Sequence, residues 1–296
     1  MKKIIPMMFC MSALAGNVNQ VNSFSRSLEK LLLMDASHLK EIAPKISIKK
    51  PTAFQRWQME RTGAEATYND FTNTIVLKDS YFVGDRIVGI DDMKANEKYR
   101  FFVFASTAFH ELSHADFDVS VENGSGSIKY LLERKIMPWF KSKFPSFNSK
   151  IATHELFGYT AGDTIFNLNQ KIQDIMINHG LKYPAMECFP AKALEKIGAR
   201  LGFENGIEFK PVFQNQDFSD IFVPDAVFVK GKDINLKTAN FPKEYRKELY
   251  DYFVSTYDLP VDTEELIHKM NNSHFKTTLE ECYKDYGKGS SSQGRE

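Results

Sequence analysis

The run Phe101-Phe102-Val103-Phe104-Ala105-Ser106-Thr107-Ala108-Phe109-His110-Glu111-Leu112-Ser113-His114 decides how this chain is read. Phe101 to Phe104 with Ala105, Ala108 and Leu112 put apolar side chains on nearly every side of a helix, which predicts a central, buried one. Asp91 or Asp92 is the expected N-cap, so the helix should begin near Asp92. Into this apolar rod the sequence sets His110, Glu111 and His114. Residues four apart on a helix share a face, with Cβ atoms about 5–6 Å apart, so two imidazoles can converge on one cation. Zinc suits such a pair, and it takes a third protein ligand while leaving one position for water. Glu111 projects beside that water as the expected general base, not as a ligand. Two buried imidazoles beside a carboxylate are hard to satisfy without a cation between them.

Working outward, the segments before the helix read as a short helical start followed by strands. Phe24, Leu28, Leu31 and Leu32 form an apolar stripe over Ser23 to Met34, and Ser37 is the expected cap of a second helix before Pro44. Ile46 to Lys50, Thr72 to Leu77 and Tyr81 to Val83 have strand patterns. Beyond the central helix, Val121 to Ser127 reads as a loop, and Ser127 as the cap of a helix running toward Lys143 that Pro145 closes. A long helix follows from about Ser149 to His179, with Gly180 at its C-terminal end. Pro190 opens another, to about Leu201; Gly206 to Phe213 and Val227 to Leu236 read as strands; helices near Lys243 to Tyr257, Thr263 to Asn271 and Thr277 to Tyr286 complete the pattern. The expected class is α+β, helix-rich, with a small mixed sheet ahead of the central helix. Residues 17–286 form one domain with a helical C-terminal part, and the polar 287–296 a disordered tail.

Composition limits the partners. The chain has 296 residues, is 43% hydrophobic and carries 38 basic against 38 acidic residues. That is ample material for a buried core, and it leaves no net field to draw the chain onto nucleic acid or an anionic membrane. Met1-Lys2-Lys3 followed by the apolar Ile4 to Ala15 reads as a signal peptide over 1–15, hence a secreted or periplasmic protein. The stretch falls short of the roughly 20 residues a membrane span needs. Its removal takes Cys10 with it and leaves Cys188 and Cys282, which form either one disulfide or two buried thiols. Asn17 to Lys50 is expected to pack as the first helices of the body rather than act as a propeptide.

Thr107 to Ala115, with His110-Glu111-Leu112-Ser113-His114 inside it, resembles the zincin metallopeptidase motif and its uncharged flanks. Asp116 departs from the pattern, where the family usually has an apolar residue, and is a candidate to orient a ligand imidazole. The residues after His114 lack the Gly and third His of the metzincin extension. A downstream carboxylate is then needed, and Glu155, in Thr153-His154-Glu155-Leu156-Phe157-Gly158, resembles the third ligand of a gluzincin, with Gly158, Ala161 and Gly162 letting two helices approach. The match is partial. The family pattern places an Asp four residues after that Glu, where this chain has Tyr159, and Asp163 comes eight after.

The resemblance therefore implies Zn²⁺ held by His110, His114 and Glu155, with His154, Asp163 and Asp116 as the alternatives to Glu155. Adjacent helical residues point about 100° apart, so His154 and Glu155 cannot both face the metal. His38, His179, His268 and His274 are expected to be surface or capping residues. Tyr159 is the candidate oxyanion donor, and the strand around Asn73 to Leu77 the candidate partner for an extended peptide. The implied function is an exported peptidase acting on a peptide or protein substrate. Two alternatives stay open: a zinc hydrolase acting on a non-peptide amide or a cell-wall peptide, and a non-catalytic binding protein with a structural zinc.

Overall fold

The computed structural model describes residues 5–94, 100–122, 126–179, 208–211, 214–229, 231–273 and 276. Helix α1 (Ile5–Leu32) runs without a break past Ala15, and its Val21, Phe24, Leu28 and Leu32 are buried. After α2 (Ser37–Ile42) come β1 (Ser47–Lys49), α3 (Ala53–Thr62), β2 (Ala66–Asn69) and β3 (Thr74–Leu77). These three strands form a mixed sheet in the order β1-β3-β2, with β1 parallel and β2 antiparallel to β3. The strands β4 (Phe82–Val83) and β5 (Arg86–Ile87) make a small hairpin. The architecture is α+β and helix-rich, with the small mixed sheet ahead of the central helix.

That helix is α4 (Phe101–Asp116). It continues into a π-helical turn, Phe117–Glu122, which covers the start of the expected loop at Val121. Next is a helical run of α5 (Ser127–Tyr130), a π-helical turn Leu131–Ile136, and α6 (Met137–Lys143). The widened turn lies directly ahead of Pro138, whose ring would crowd the preceding carbonyls of a tight helix. The long α7 (Ser149–Asn178) packs extensively along α4. The chain then forms α8 (Ser219–Phe222), the hairpin β6 (Ala226–Val229) and β7 (Lys232–Asn235), α9 (Lys243–Tyr257) and α10 (Thr263–Asn272). Buried side chains from Val21 to Met270 form one contiguous core, in which Phe109 of α4 packs edge-on against Tyr257 of α9 at 5.0 Å. Such an aromatic pair adds about 1 kcal/mol beyond the area it buries.

Several local expectations change. The central helix starts at Phe101, not near Asp92. Asp92 instead pairs with Arg86 and accepts hydrogen bonds from Gly89 N and Ser23 Oγ, so its charge fastens the β5 end to α1. Burial opposes this, but the Arg86 guanidinium prevails and holds the Asp92 carboxyl down to about 2. Ser37 is the first residue of α2 and caps nothing; Asp35 Oδ1 accepts from its N–H instead. Ser127 likewise lies inside its helix behind Gly126. The expected strand Val227 to Leu236 is two strands, because Gly231, with φ of 82°, turns the chain back on itself. Residues 208–211 carry no strand and are held by Asn271. Four short elements lie outside the expected pattern: α3, β2, β5 and α8. The expected segments Pro190 to Leu201 and Thr277 to Tyr286, with Gly180, Cys188, Cys282 and the tail, lie outside the described residues.

Candidate metal centre

Helices α4 and α7 lie against each other because α7 presents glycine where α4 presents bulk. A Cβ on Gly158 would sit 2.7 Å from His114 Cε1 and 3.0 Å from His110 Nε2; one on Gly162 would sit 3.2 Å from the Ser106 carbonyl oxygen. Ser106 Oγ donates to the Gly162 carbonyl at 2.9 Å across the same seam. The two imidazoles thus occupy space that a side chain on α7 would otherwise fill.

In that space His110 Nε2 and His114 Nε2 are 2.9 Å apart, and Glu155 Oε2 lies 3.6 Å from the first and 3.7 Å from the second. The carboxylate is too far from either ring for a hydrogen bond of normal length. It is at the separation of two ligands on one small cation: tetrahedral bonds of 2.0–2.1 Å put ligand atoms about 3.4 Å apart. Burial, with His110 and His154 adding to it, drives His114 far below the ordinary imidazole range, although the His154 main chain partly opposes this. The ring is therefore neutral, the state in which an imidazole can donate a lone pair.

Glu111 is buried beside these donors and lines the same cleft. Burial pushes its carboxyl up to about 7, His110 opposing and Glu155 adding to the rise. A group so placed exchanges its proton near neutral pH. Tyr159 packs edge-on against His110, with ring centres 4.6 Å apart, and burial, reinforced by nearby carboxylates, raises its phenol to about 12, so it stays a hydrogen donor.

The cleft measures about 710 Å³. Ala66, Thr67 and Tyr68 of β2 line it, as do Phe228 and Gly231 of the β6–β7 hairpin. The strand along the cleft is therefore β2, at the sheet edge; of the expected Asn73 to Leu77, Thr74–Leu77 forms β3, sandwiched between β1 and β2, where its ladder is already used on both sides.

Of the other residues considered as third ligand, none joins the trio. His154 faces Asp118, its Nε2 3.1 Å from Asp118 Oδ1, and its ring lies flat on that of His114. One helical step separates it from Glu155, and the pair divides as that rotation requires. Asp163 is near enough for His110 to pull its pKa down, but burial dominates and raises it to about 6. Asp116 neither binds with the trio nor orients a ligand imidazole. It is fully buried on another side of α4, where Oδ1 lies 2.9 Å from His38 Nε2 and Oδ2 accepts from the Tyr252 hydroxyl at 2.8 Å. His38 is accordingly no surface residue: its side chain is 18% exposed. Burial opposes its charge, yet the Asp116 and Glu41 carboxylates prevail and raise its pKa. His179 does cap α7, with Nδ1 donating to the Ile175 carbonyl at 2.8 Å, and His268 is exposed. His274 lies outside the described residues.

Two residues of the site were not anticipated. Asp118 continues the stripe of His110 and His114 at the same four-residue step, a signal present in the sequence. Tyr68, whose hydroxyl donates to Asp118 Oδ2 at 2.7 Å, comes from the unanticipated β2. Burial alone would raise Asp118, but the hydrogen bonds from His154 and Tyr68 outweigh it and hold its carboxyl below the usual value.

No family model, curated protein or solved structure matches this chain.

Proposed function

We propose that the chain is a zinc-dependent peptidase of zincin type, exported by way of the segment 1–15. The observation that carries this reading is the triangle of His110 Nε2, His114 Nε2 and Glu155 Oε2, whose edges of 2.9, 3.6 and 3.7 Å bracket the spacing that zinc requires. Two imidazoles and one carboxylate are a borderline-soft donor set suited to zinc, and the open cleft beside them leaves room for water and substrate. Zinc held there supplies Lewis acidity toward a water and a substrate carbonyl.

The remaining work falls to side chains of this protein. Glu111, buried on the cleft wall beside the two imidazoles, takes a proton from the attacking water as its oxygen bonds to the carbonyl carbon. As the carbon–nitrogen bond breaks, the same carboxyl delivers that proton to the departing amine. Tyr159, protonated and on the cleft wall, is placed to donate toward the oxygen on which negative charge develops. The open edge of β2 offers main-chain donors and acceptors to an extended peptide, which favours a peptide over a compact substrate. Among the described residues no helix is long and apolar enough to cross a membrane.

The test is cleavage of a mixed peptide library by zinc-loaded wild type and Glu111→Gln. The expected result is cleavage by wild type and a loss of about 100- to 10,000-fold in the variant, with zinc retained. Equal activity in the two proteins contradicts the assignment of Glu111.

A further inference from the structure

We propose that Tyr68, Asp118 and His154 form a positioning assembly that fixes the His114 ring and ties its orientation to the cleft-edge strand β2. This rests on the metal reading above. A ligand imidazole is ordinarily held by a hydrogen bond from its second ring nitrogen to a carboxylate, carbonyl or water. At His114 no side chain takes that part: its buried Nδ1 has only the His154 main chain near it, and no hydrogen bond of normal geometry.

Packing does the orienting instead. The His154 ring lies over the His114 ring with centres 4.6 Å apart and planes within 7°, and the Tyr68 ring is 6.0 Å from it at 19°. Tyr68 and His154 are themselves 6.0 Å apart and nearly parallel, so the three rings form a compact triangle. On the other side, the missing side chain of Gly158 admits His114 Cε1 and blocks nothing.

Asp118 determines where the two packing rings sit. Its two carboxylate oxygens bond different rings, Oδ1 to His154 Nε2 at 3.1 Å and Oδ2 to the Tyr68 hydroxyl at 2.7 Å. Charge-assisted hydrogen bonds of this kind are about twice as strong as neutral ones, enough to select one rotamer for each ring. The turn into β3 lies close by, with Asn73 Oδ1 3.0 Å from the Tyr68 oxygen, whose one proton goes to Asp118. Because Tyr68 stands on β2 and lines the cleft, a peptide pairing with that strand bears on the residue that packs His114. Strand occupancy and ligand orientation are mechanically joined.

The experiment measures zinc affinity by chelator competition, and the visible spectrum of the cobalt(II)-substituted protein, for the full chain and for Asp118→Asn and Tyr68→Phe. Asp118→Asn is expected to weaken zinc binding about 10- to 100-fold, the range for lost outer-shell support, and to shift the cobalt bands. Tyr68→Phe keeps the ring and the fold, loses the hydroxyl, and is expected to weaken binding several-fold with a smaller shift in the same direction. A wild type that binds one zinc, with both variants matching its affinity and spectrum, overturns this proposal and leaves the metal reading standing. A folded wild type that takes up no metal overturns the metal reading and this proposal with it.

Discussion

Two trios of the same composition flank the central helix, and they differ in what their histidine touches. Asp116 binds His38 and Tyr252; two residues later, Asp118 binds His154 and Tyr68. In each an aspartate spans an imidazole and a phenol through separate oxygens. The first has its aspartate fully buried on the core side, and its half-buried His38 ring packs edge-on against Tyr257 at 5.7 Å, locking α2 and α9 onto α4. The second opens on the cleft, and its His154 ring lies on a candidate metal ligand. One arrangement of hydrogen bonds thus serves stability in one place and geometry of the site in the other. Asp116 ends α4 and Asp118 stands in the π-helical turn that follows, so the two carboxylates leave the helix in different directions.

The largest effect is expected where the two helices meet. Gly158→Ala puts a methyl 2.7 Å from His114 Cε1 and 3.0 Å from His110 Cε1, so the rings must part. Overpacking of this kind destabilises by about 1–3 kcal/mol. Zinc affinity should fall by two orders of magnitude or more, since both imidazole ligands move; calorimetric titration alongside thermal unfolding reads both quantities.

A smaller effect separates the trios. Asp116→Asn removes a buried charge that holds two half-buried partners and should lower stability by about 1–2 kcal/mol while leaving the zinc dissociation constant within about threefold. Asp118→Asn should do the reverse, costing affinity and little stability. Urea titration and chelator competition on the two variants test this crossing directly, and equal effects on both quantities would erase the distinction.

The smallest effect is one of pH. The folded-state pKa of His38 is raised by its carboxylate partners, so the stability it contributes is fully present below its unfolded value of about 6.5 and is lost as pH rises through the folded value. His38→Gln should remove that alkaline decline in unfolding free energy, and a decline that persists in the variant assigns it to other groups.

Much of this was readable in the chain before any coordinates. An apolar helix interrupted by two histidines four apart has few satisfied alternatives, and glycines one turn apart on α7 announce a close helix pair. Glu155 and His154 were separable only as one of the two, because rotation per residue fixes their divergence and not which one faces inward. Asp118 stands on the same four-residue stripe as His110 and His114, whereas Asp116, the residue that departs from the motif's flank, turns the other way. The strand β2 is hard to read because Ala66 to Asn69 is short and half polar, although its partner β3 follows directly across the turn at 70–73. The start of α4 was misplaced for another reason: Asp92 has the chemistry of a cap, but Arg86 already claims its charge.

The most direct test is X-ray absorption at the zinc edge on protein purified and then loaded with one equivalent of zinc. The expected result is a single tightly held ion with two imidazole nitrogens and carboxylate oxygen at about 2.0–2.2 Å, reduced to one imidazole in His114→Ala. A folded protein that releases all its zinc on dialysis, or a first shell without paired imidazoles, contradicts it.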